Sequence, residues 1–553
     1  MPSLRNGSAC ASRWISAGES SATRSPAMLE VAFIVFGAAL AFGLGRGLKV
    51  PVMPLLIVMG LIFSASGALD DREVVGSMLE IGLTFLVFAA GLEMAPVRVR
   101  GKVGAVLQVG VVQFVALGGL ALGILLLGGR SLEESLYVAL AAAASSTLVV
   151  VRLLRQRRQI FEPLGALIIG VLLLQDVLII LGLVIVSGLP EGGAEVLQRV
   201  GGGALVLGLS ALLYWRVMPV LLARYEHDDE IGLLIVVGTL FAMLGLASLV
   251  NVPIIVGAFG AGLSLSSFPT NALVRGLIGP LIDFFLALFF VALGAFLVLP
   301  TLEELLVGAG LVVMIWVVTP VVVVAVAERA GFTTSGAVEA GLLLAQTSEF
   351  SLVVALQGVS SGQLSEGTLT IISLVTVVTI GLAPWVSSKA LVRLGIRLHP
   401  RPRAVEGAAE MEGHVVVIGL GVAGAMLMER LQDAGIGAVG LDYDPAEVSR
   451  LREQGYRVVW GDADDPRAME ALNLAGARAV IVTTGSVMHT QLVSEHISED
   501  AQLWVNLMDD TRVEACEAAG ARTVNYSRAS SEKVVEWFES LADGARPEQP
   551  AEG

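Results

Sequence analysis

Between Met28 and Arg393 the chain is a succession of apolar runs separated by short polar or basic breaks. Each run is roughly 17 to 25 residues long, the length a helix needs to cross a bilayer core. They begin near Met28, Val50, Met78, Val103, Leu136, Pro163, Val200, Glu230, Val252, Leu277, Leu305, Ser335 and Thr368, which predicts about thirteen spans. Past the last run the pattern changes to short apolar strands alternating with amphipathic helices, as in a soluble α/β domain. The expected fold class is a polytopic α-helical membrane protein followed by a C-terminal α/β Rossmann-like domain. The expected boundaries are a disordered extension over 1–27, a transmembrane domain over 28–391, a linker over 392–411, the α/β domain over 412–530 and a tail over 531–553. Residues 1–27 lack the apolar core of a secretory signal, and Met28 is expected to be the working start.

Composition agrees with the pattern. The 553 residues are 55% hydrophobic and 15% charged, with a mean hydropathy of +0.79, far too apolar for a soluble protein of this length. Cys10 and Cys516 offer neither a metal spacing nor a disulfide framework. From Ala404 onward 26 Asp or Glu face 11 Lys or Arg, so the net charge of −15 sits in the tail domain and argues against nucleic acid as a partner. Loops on the tail's side hold Arg46, Lys49, Arg98, Arg100, Lys102, Arg152, Arg155, Arg157, Arg158, Arg216, Arg224, Arg275 and Arg329. The opposite loops hold only Arg72, Arg130 and Arg199. By the positive-inside rule the tail is expected in the cytoplasm and, with an odd number of spans, the amino terminus outside the cell membrane.

Polar groups interrupt a few of the apolar runs. Asp176 sits at the middle of GVLLLQDVLIILGLV beside Gln175, where an acid at a span centre costs roughly 2.5 to 3.5 kcal/mol and therefore serves a purpose. Ser145, Ser146 and Thr147 cluster in the fifth span, and Gln346, Thr347, Ser348 and Glu349 lie at comparable depth in the twelfth. Hydroxyls bonding back to an intact helix would explain either cluster alone. Two interrupted helices, one early and one late, instead point to inverted repeats whose broken helices meet at the midplane. Dividing the chain at span seven makes spans one to six and eight to thirteen the two halves, so that span five corresponds to span twelve.

The ordered set SSTLVV, LLLQDVLII, VGAFGAGLSLS, GPLIDFFLALFFVALGAF and AQTSEFSLVV resembles the monovalent cation:proton antiporter-2 family, especially its Kef-type potassium/proton members, from about Met28 to Leu391. FLVFAAGLEM resembles that family's third-span signature. One departure is that the family often reads Gln-Gly-Gly-Glu-Phe where this chain has Gln346-Thr347-Ser348-Glu349-Phe350. The resemblance implies that Asp176 is the shared site for an alkali cation and a proton. The chemistry agrees, since a lone carboxylate in a partly dry cavity must be neutralised by one or the other. Gln175, Ser145, Ser146 and Thr147 could complete a cage of hard oxygens for K+ or Na+, and a single acid predicts 1:1, electroneutral turnover. Glu349 matches a family motif position and is expected to help hold the crossed helices, together with Gln346, Thr347 and Ser348. Glu93 and Asp283 fall near predicted membrane boundaries, where solvated or helix-start roles are commoner. Phe289 and Phe290 read as packing residues.

In the tail, HVVVIGLGVAGAMLMERLQDAG runs from a strand through Gly419, Gly421 and Gly424 into a helix, and Asp442 follows about 20 residues on. That order is a dinucleotide fingerprint: a tight turn, close approach to a pyrophosphate, and an acid for ribose hydroxyls. The series resembles the amino-terminal domain of regulators of K+ conductance, also called TrkA-N, from about His414 to Arg528. The resemblance implies pairing as a homodimer, an adenine nucleotide or NAD(H) as regulatory ligand, and Asp462 near the adenine. No redox turnover is expected, because only about 25 residues follow the nucleotide fold and a dehydrogenase needs a substrate domain. His489 and His496 show no evident polar partner in sequence. A gated K+ channel and a membrane-anchored NAD-dependent redox enzyme are the alternatives from other classes. The first lacks a TVGYG-like filter loop.

Overall fold

The computed structural model describes residues 25–48, 52–69, 71–94, 103–157, 159, 163–225, 228–267, 270–298, 300–399, 411–461, 463, 466–508 and 510–542. Asp462, most of the expected linker and extension, the end of the tail, and the basic positions Lys49, Arg98, Arg100, Lys102 and Arg158 lie outside the described residues. The chain divides into two compact units, one of residues 1–323 with 341–387 and one of 324–340 with 388–553.

The first unit begins with helices α1 (Ser25–Leu48), α2 (Val52–Ala65), α3 (Arg72–Glu93) and α4 (Val103–Leu127). The fifth span is split into α5 (Leu132–Ala142) and α6 (Thr147–Gln156), and α7 (Pro163–Gly188) follows it. Next comes α8 (Gly193–Leu212), which passes through a π-helical turn (Leu213–Val217) into Met218–Arg224. The second half repeats the series as α9 (Asp229–Leu249), α10 (Ile254–Ser264), α11 (Thr270–Phe296) and α12 (Leu302–Arg329). Its own split span is α13 (Thr334–Leu344) with α14 (Glu349–Ser360), and α15 (Glu366–Val386) closes the membrane part. Among the described residues eleven helices, counting each split or bulged span once, are long and apolar enough to cross a membrane. Two shorter apolar ones, α2 and α10, bring the number to the thirteen expected.

The inverted repeat is visible in packing. α2 crosses α11 where a Cβ on Gly60 would strike the Val291 carbonyl and one on Gly294 would strike the Ile57 carbonyl. Its counterpart is the crossing of α3 with α10, where Gly91 meets the Phe259 carbonyl and Gly262 the Phe88 carbonyl. Without a hydrophobic drive between helices in lipid, such small-residue contacts let backbones approach closely enough for dispersion to hold them. Phe289 and Phe290 are buried beside them, Phe289 against Gly82, as packing residues. α4 packs on α5 and α7, and α14 on α5 and α15, so the two split spans are enclosed by their own bundle.

In the second unit, Glu328 accepts from the Thr334 hydroxyl and pairs with His399 at 3.3 Å, while α16 (Lys389–Leu398) brings Gly395 against Val338. The sheet domain has six parallel strands: β1 (His414–Ile418), β2 (Ala438–Asp442), β3 (Val458–Trp460), β4 (Ala477–Val482), β5 (Gln502–Leu507) and β6 (Arg522–Asn525). Their order, β3-β2-β1-β4-β5-β6, is that of a dinucleotide-binding fold, with its switch point between β1 and β4. Val416, Ile418, Val480, Val482 and Val505 pack one face of the sheet, and Val415, Val417 and Leu420 pack the other.

Candidate functional site

A helix that breaks inside a bilayer frees backbone groups that no water or lipid can satisfy, so each break must carry its own partners. In the first break, between α5 and α6, the Ser145 N–H donates to the Gln175 Oε1 of α7 at 3.0 Å. The Ser145 hydroxyl donates to the Leu344 carbonyl at 2.7 Å, at the edge of the second break, and accepts from Gln113 Nε2 of α4 at 3.3 Å. In the second break, between α13 and α14, the Thr347 N–H donates to Thr379 Oγ1 of α15 at 3.2 Å. Span six therefore supports the first break and span thirteen the second, as the repeat requires. The Thr347 hydroxyl also contacts Thr376 and Thr379 at 3.2 and 3.0 Å. Hydroxyl groups thus hold the interruption open at the two positions where the family this chain resembles often has glycine.

Both second limbs start at the crossing with capped amino termini. Ser146 Oγ accepts from the Val149 N–H, and Ser348 and Ser351 form a reciprocal capping box. Ser351 Oγ also donates to the Ala141 carbonyl at 2.5 Å. Glu349, the first residue of α14, accepts from the Leu148 N–H of α6 at 3.4 Å, so one carboxylate faces two helix amino termini and offsets their partial positive charge.

Asp176 is 1% exposed near the middle of α7. Its Oδ2 accepts from the Thr147 hydroxyl at 3.1 Å, while Oδ1 has no hydrogen-bond partner among the described residues. Among the described residues no salt bridge holds it there either. Three further buried acceptors around the crossing are likewise without a partner, namely Gln113 Oε1, Gln346 Oε1 and Glu349 Oε2, against a single such donor, Gln175 Nε2. The structure thus brings together Asp176, Gln175, Ser145, Thr147 and Glu349, while Ser146 and Ser348 serve as caps. Gln346 donates to the Leu343 carbonyl.

Sequence reasoning missed Gln113, whose only signal is an amide at the centre of an apolar span, and Thr376 and Thr379, whose hydroxyls also donate to the Ile372 and Val375 carbonyls one turn earlier. It also misplaced Asp283. The predicted span start near Leu277 set it at a boundary, whereas α11 begins at Thr270 and puts Asp283 close to its middle.

Two cavities flank the crossing. One of about 220 Å³ is lined by α3 and α11, including Glu93, Arg275 and Asp283, and reaches Thr147 and Glu349. The other, about 690 Å³, lies toward the opposite helix ends beside Glu133, Ser187, Arg199 and Gln357. There the Tyr137 hydroxyl donates to Gln363 Oε1 at 2.5 Å.

In the sheet domain Gly419 has φ +92°, which favours glycine. A Cβ on Gly424 would strike the Gly419 carbonyl, whereas one on Gly421 at the start of α17 (Val422–Asp433) meets nothing within 4 Å. The loop is thus tight below and open above, which fits a pyrophosphate at a helix amino terminus. Asp442 ends β2, and its oxygens accept from the N–H groups of Leu420 (2.5 Å) and Asp444 (2.8 Å). Burial pushes this carboxyl above its ordinary value, with the N–H groups acting in opposition. Contrary to expectation, His489 and His496 do have polar neighbours, Thr484 Oγ1 at 3.1 Å and the Leu492 carbonyl at 2.7 Å.

A repeat-built helical bundle whose broken helices cross beside a buried acid, joined to a parallel nucleotide-binding sheet, defines a secondary transporter with an appended nucleotide fold. The chain belongs to the family described as "Sodium/hydrogen exchanger, transmembrane", which matches residues 32–391, and a TrkA-N domain, a nucleotide-binding type, matches residues 415–527. It is 25% identical to K(+) efflux antiporter 3, chloroplastic, of Arabidopsis thaliana, over 76% of this chain and 60% of that protein. It is 26% identical to the glutathione-regulated potassium-efflux system protein KefC of Salmonella schwarzengrund, over 82% of this chain and 74% of that one. The structure of the sodium proton antiporter MjNhaP1 from Methanocaldococcus jannaschii matches with a TM-score of 0.51 at 17% identity, covering 65% of this chain and 98% of that one, and supports the fold alone.

Proposed function

We propose that the chain is a K+/H+ antiporter of the cell membrane, exchanging one cation for one proton without net charge movement. The observation that carries this reading is Asp176, buried and, among the described residues, bonded only by Thr147 with one oxygen unpartnered, at a crossing where such unpartnered oxygens outnumber unpartnered donors. Burying a bare carboxylate is costly, so the site favours occupation by H+ or by a cation held among oxygens. Alternating access to a site that must hold one or the other is obligatory exchange. The smaller cavity reaches the crossing from the end that carries Glu93 and Arg275, the side rich in arginine and so cytoplasmic by the positive-inside rule. The Tyr137–Gln363 bond lies toward the opposite end, which suits an inward-open state with the amino terminus outside.

The sheet domain is read as a cytoplasmic regulator that pairs across a two-fold axis in a homodimer. Gly419, Gly421 and Gly424 would hold the pyrophosphate of an adenine nucleotide or NAD(H), and Asp442, with Asp462, would face the ribose and adenine. Bound there, the nucleotide shifts the transporter's states only through different affinity for them. A Na+/H+ antiporter of the same fold is the second reading, supported by the family's description. Everted vesicles carrying a pH-sensitive dye test both readings. Proton movement driven by K+ in preference to Na+ or Li+, absent in Asp176→Asn, is expected. Na+ preference would favour the second reading, and exchange in the variant would end both.

A further inference from the structure

We propose that Asp283 and Glu349 form a second, transient cation station in the smaller cavity, where a partly hydrated monovalent cation waits before reaching Asp176. This station rests on the antiporter reading. Asp283 is an exposed carboxylate near the middle of an otherwise apolar stretch of α11, and it lines the cavity. Glu349, only 3% exposed, lines the same cavity, and its Oε2 has no hydrogen-bond partner among the described residues. The cationic side chain of the lining, Arg275, lies 3.8 Å from Glu93 and reaches the Leu92 carbonyl at 3.4 Å, so its charge is directed to the end of α3. Thr147 completes the path, since it lines the cavity and its hydroxyl bonds Asp176.

The arrangement suits stepwise dehydration. A volume of about 220 Å³ leaves room for a cation with several waters. Carboxylate oxygens then replace part of that shell before the ion passes Thr147. Two helix amino termini already offset much of the Glu349 charge. Asp283 therefore supplies most of the attraction, and its charge, not its shape, is what the station needs.

The test is cation-driven exchange by the full chain in vesicles of both orientations. With K+ supplied to the face on which the cavity opens, Asp283→Asn should raise KM about fivefold while the rate at saturating K+ changes less than about twofold. Supplied from the other face, KM should stay at its wild-type value. Asp283→Glu should keep the wild-type KM on both faces, and inert salt should shrink the difference between Asn and wild type. An unchanged KM, an equal shift from both faces, or Glu behaving like Asn would overturn the station. Should the Asn variant not assemble, the wild-type KM from the cavity face must rise with inert salt, and a salt-independent KM counts against the proposal. Failure of the station leaves Asp176→Asn inactive, whereas failure of the antiporter reading leaves it active.

Discussion

Thr379 offers a sharp test of how the second helix interruption is held. Its hydroxyl oxygen accepts from the Thr347 N–H, a backbone donor freed by the break and buried where no water can reach it. Thr379→Val keeps the shape and removes that acceptor, leaving a buried donor unsatisfied at a cost of about 1 to 3 kcal/mol. Thr376→Val is the control. It removes an acceptor of the Thr347 hydroxyl, which retains Thr379, and a bond back to the Ile372 carbonyl like the one Thr379→Val also loses to Val375, but it frees no backbone donor, and it costs about 0.5 to 1.5 kcal/mol. Thermal unfolding of the detergent-purified chain, followed by size-exclusion chromatography of the fraction remaining, should rank wild type above Thr376→Val above Thr379→Val. Equal stability of the two variants, or the larger loss in Thr376→Val, would refute the view that hydroxyls stand in for the glycines of related chains.

Two predictions concern the sheet domain. Gly421→Val fills the open space above the glycine loop and should reduce nucleotide affinity at least about tenfold by calorimetry; unchanged affinity would remove the loop from the ligand's path. On the proposed reading Asp442 accepts ribose hydroxyls, more strongly when ionised, and burial holds its carboxyl above the ordinary range, so affinity should weaken on acidification at a higher pH than an ordinary aspartate would allow. The stability sign is the corresponding one. A raised folded-state value favours the protonated form, so the contribution is full below the unfolded value of about 3.9 and is lost as pH rises through the folded one. Asp442→Asn should flatten both dependences.

The sequence made legible whatever was local. The apolar run lengths, the lone acid Asp176 in a span, the hydroxyl clusters at Ser145–Thr147 and Thr347–Ser348, and the strand–glycine–helix order around Gly419 each declare themselves within a few residues. Long-range pairing was not legible. Gln113, Thr376 and Thr379 are ordinary polar residues in helices until the fold sets them against a break more than thirty residues away or nearly so. The reciprocal glycine crossings of Gly60 with Gly294 and Gly91 with Gly262 are likewise scattered small residues in a chain holding 63 glycines. Asp283 was misread because hydropathy locates a span but not the first turn of its helix, and that helix begins seven residues before the apolar run.

If a cation and a proton compete for the Asp176 carboxylate, adding K+ to the purified chain in weakly buffered solution must displace protons. Binding should release about one proton per chain near the pH at which the site is half-protonated, and Asp176→Asn should release none. Cation binding without proton release, or the same release from the variant, would show that the two ions do not share Asp176.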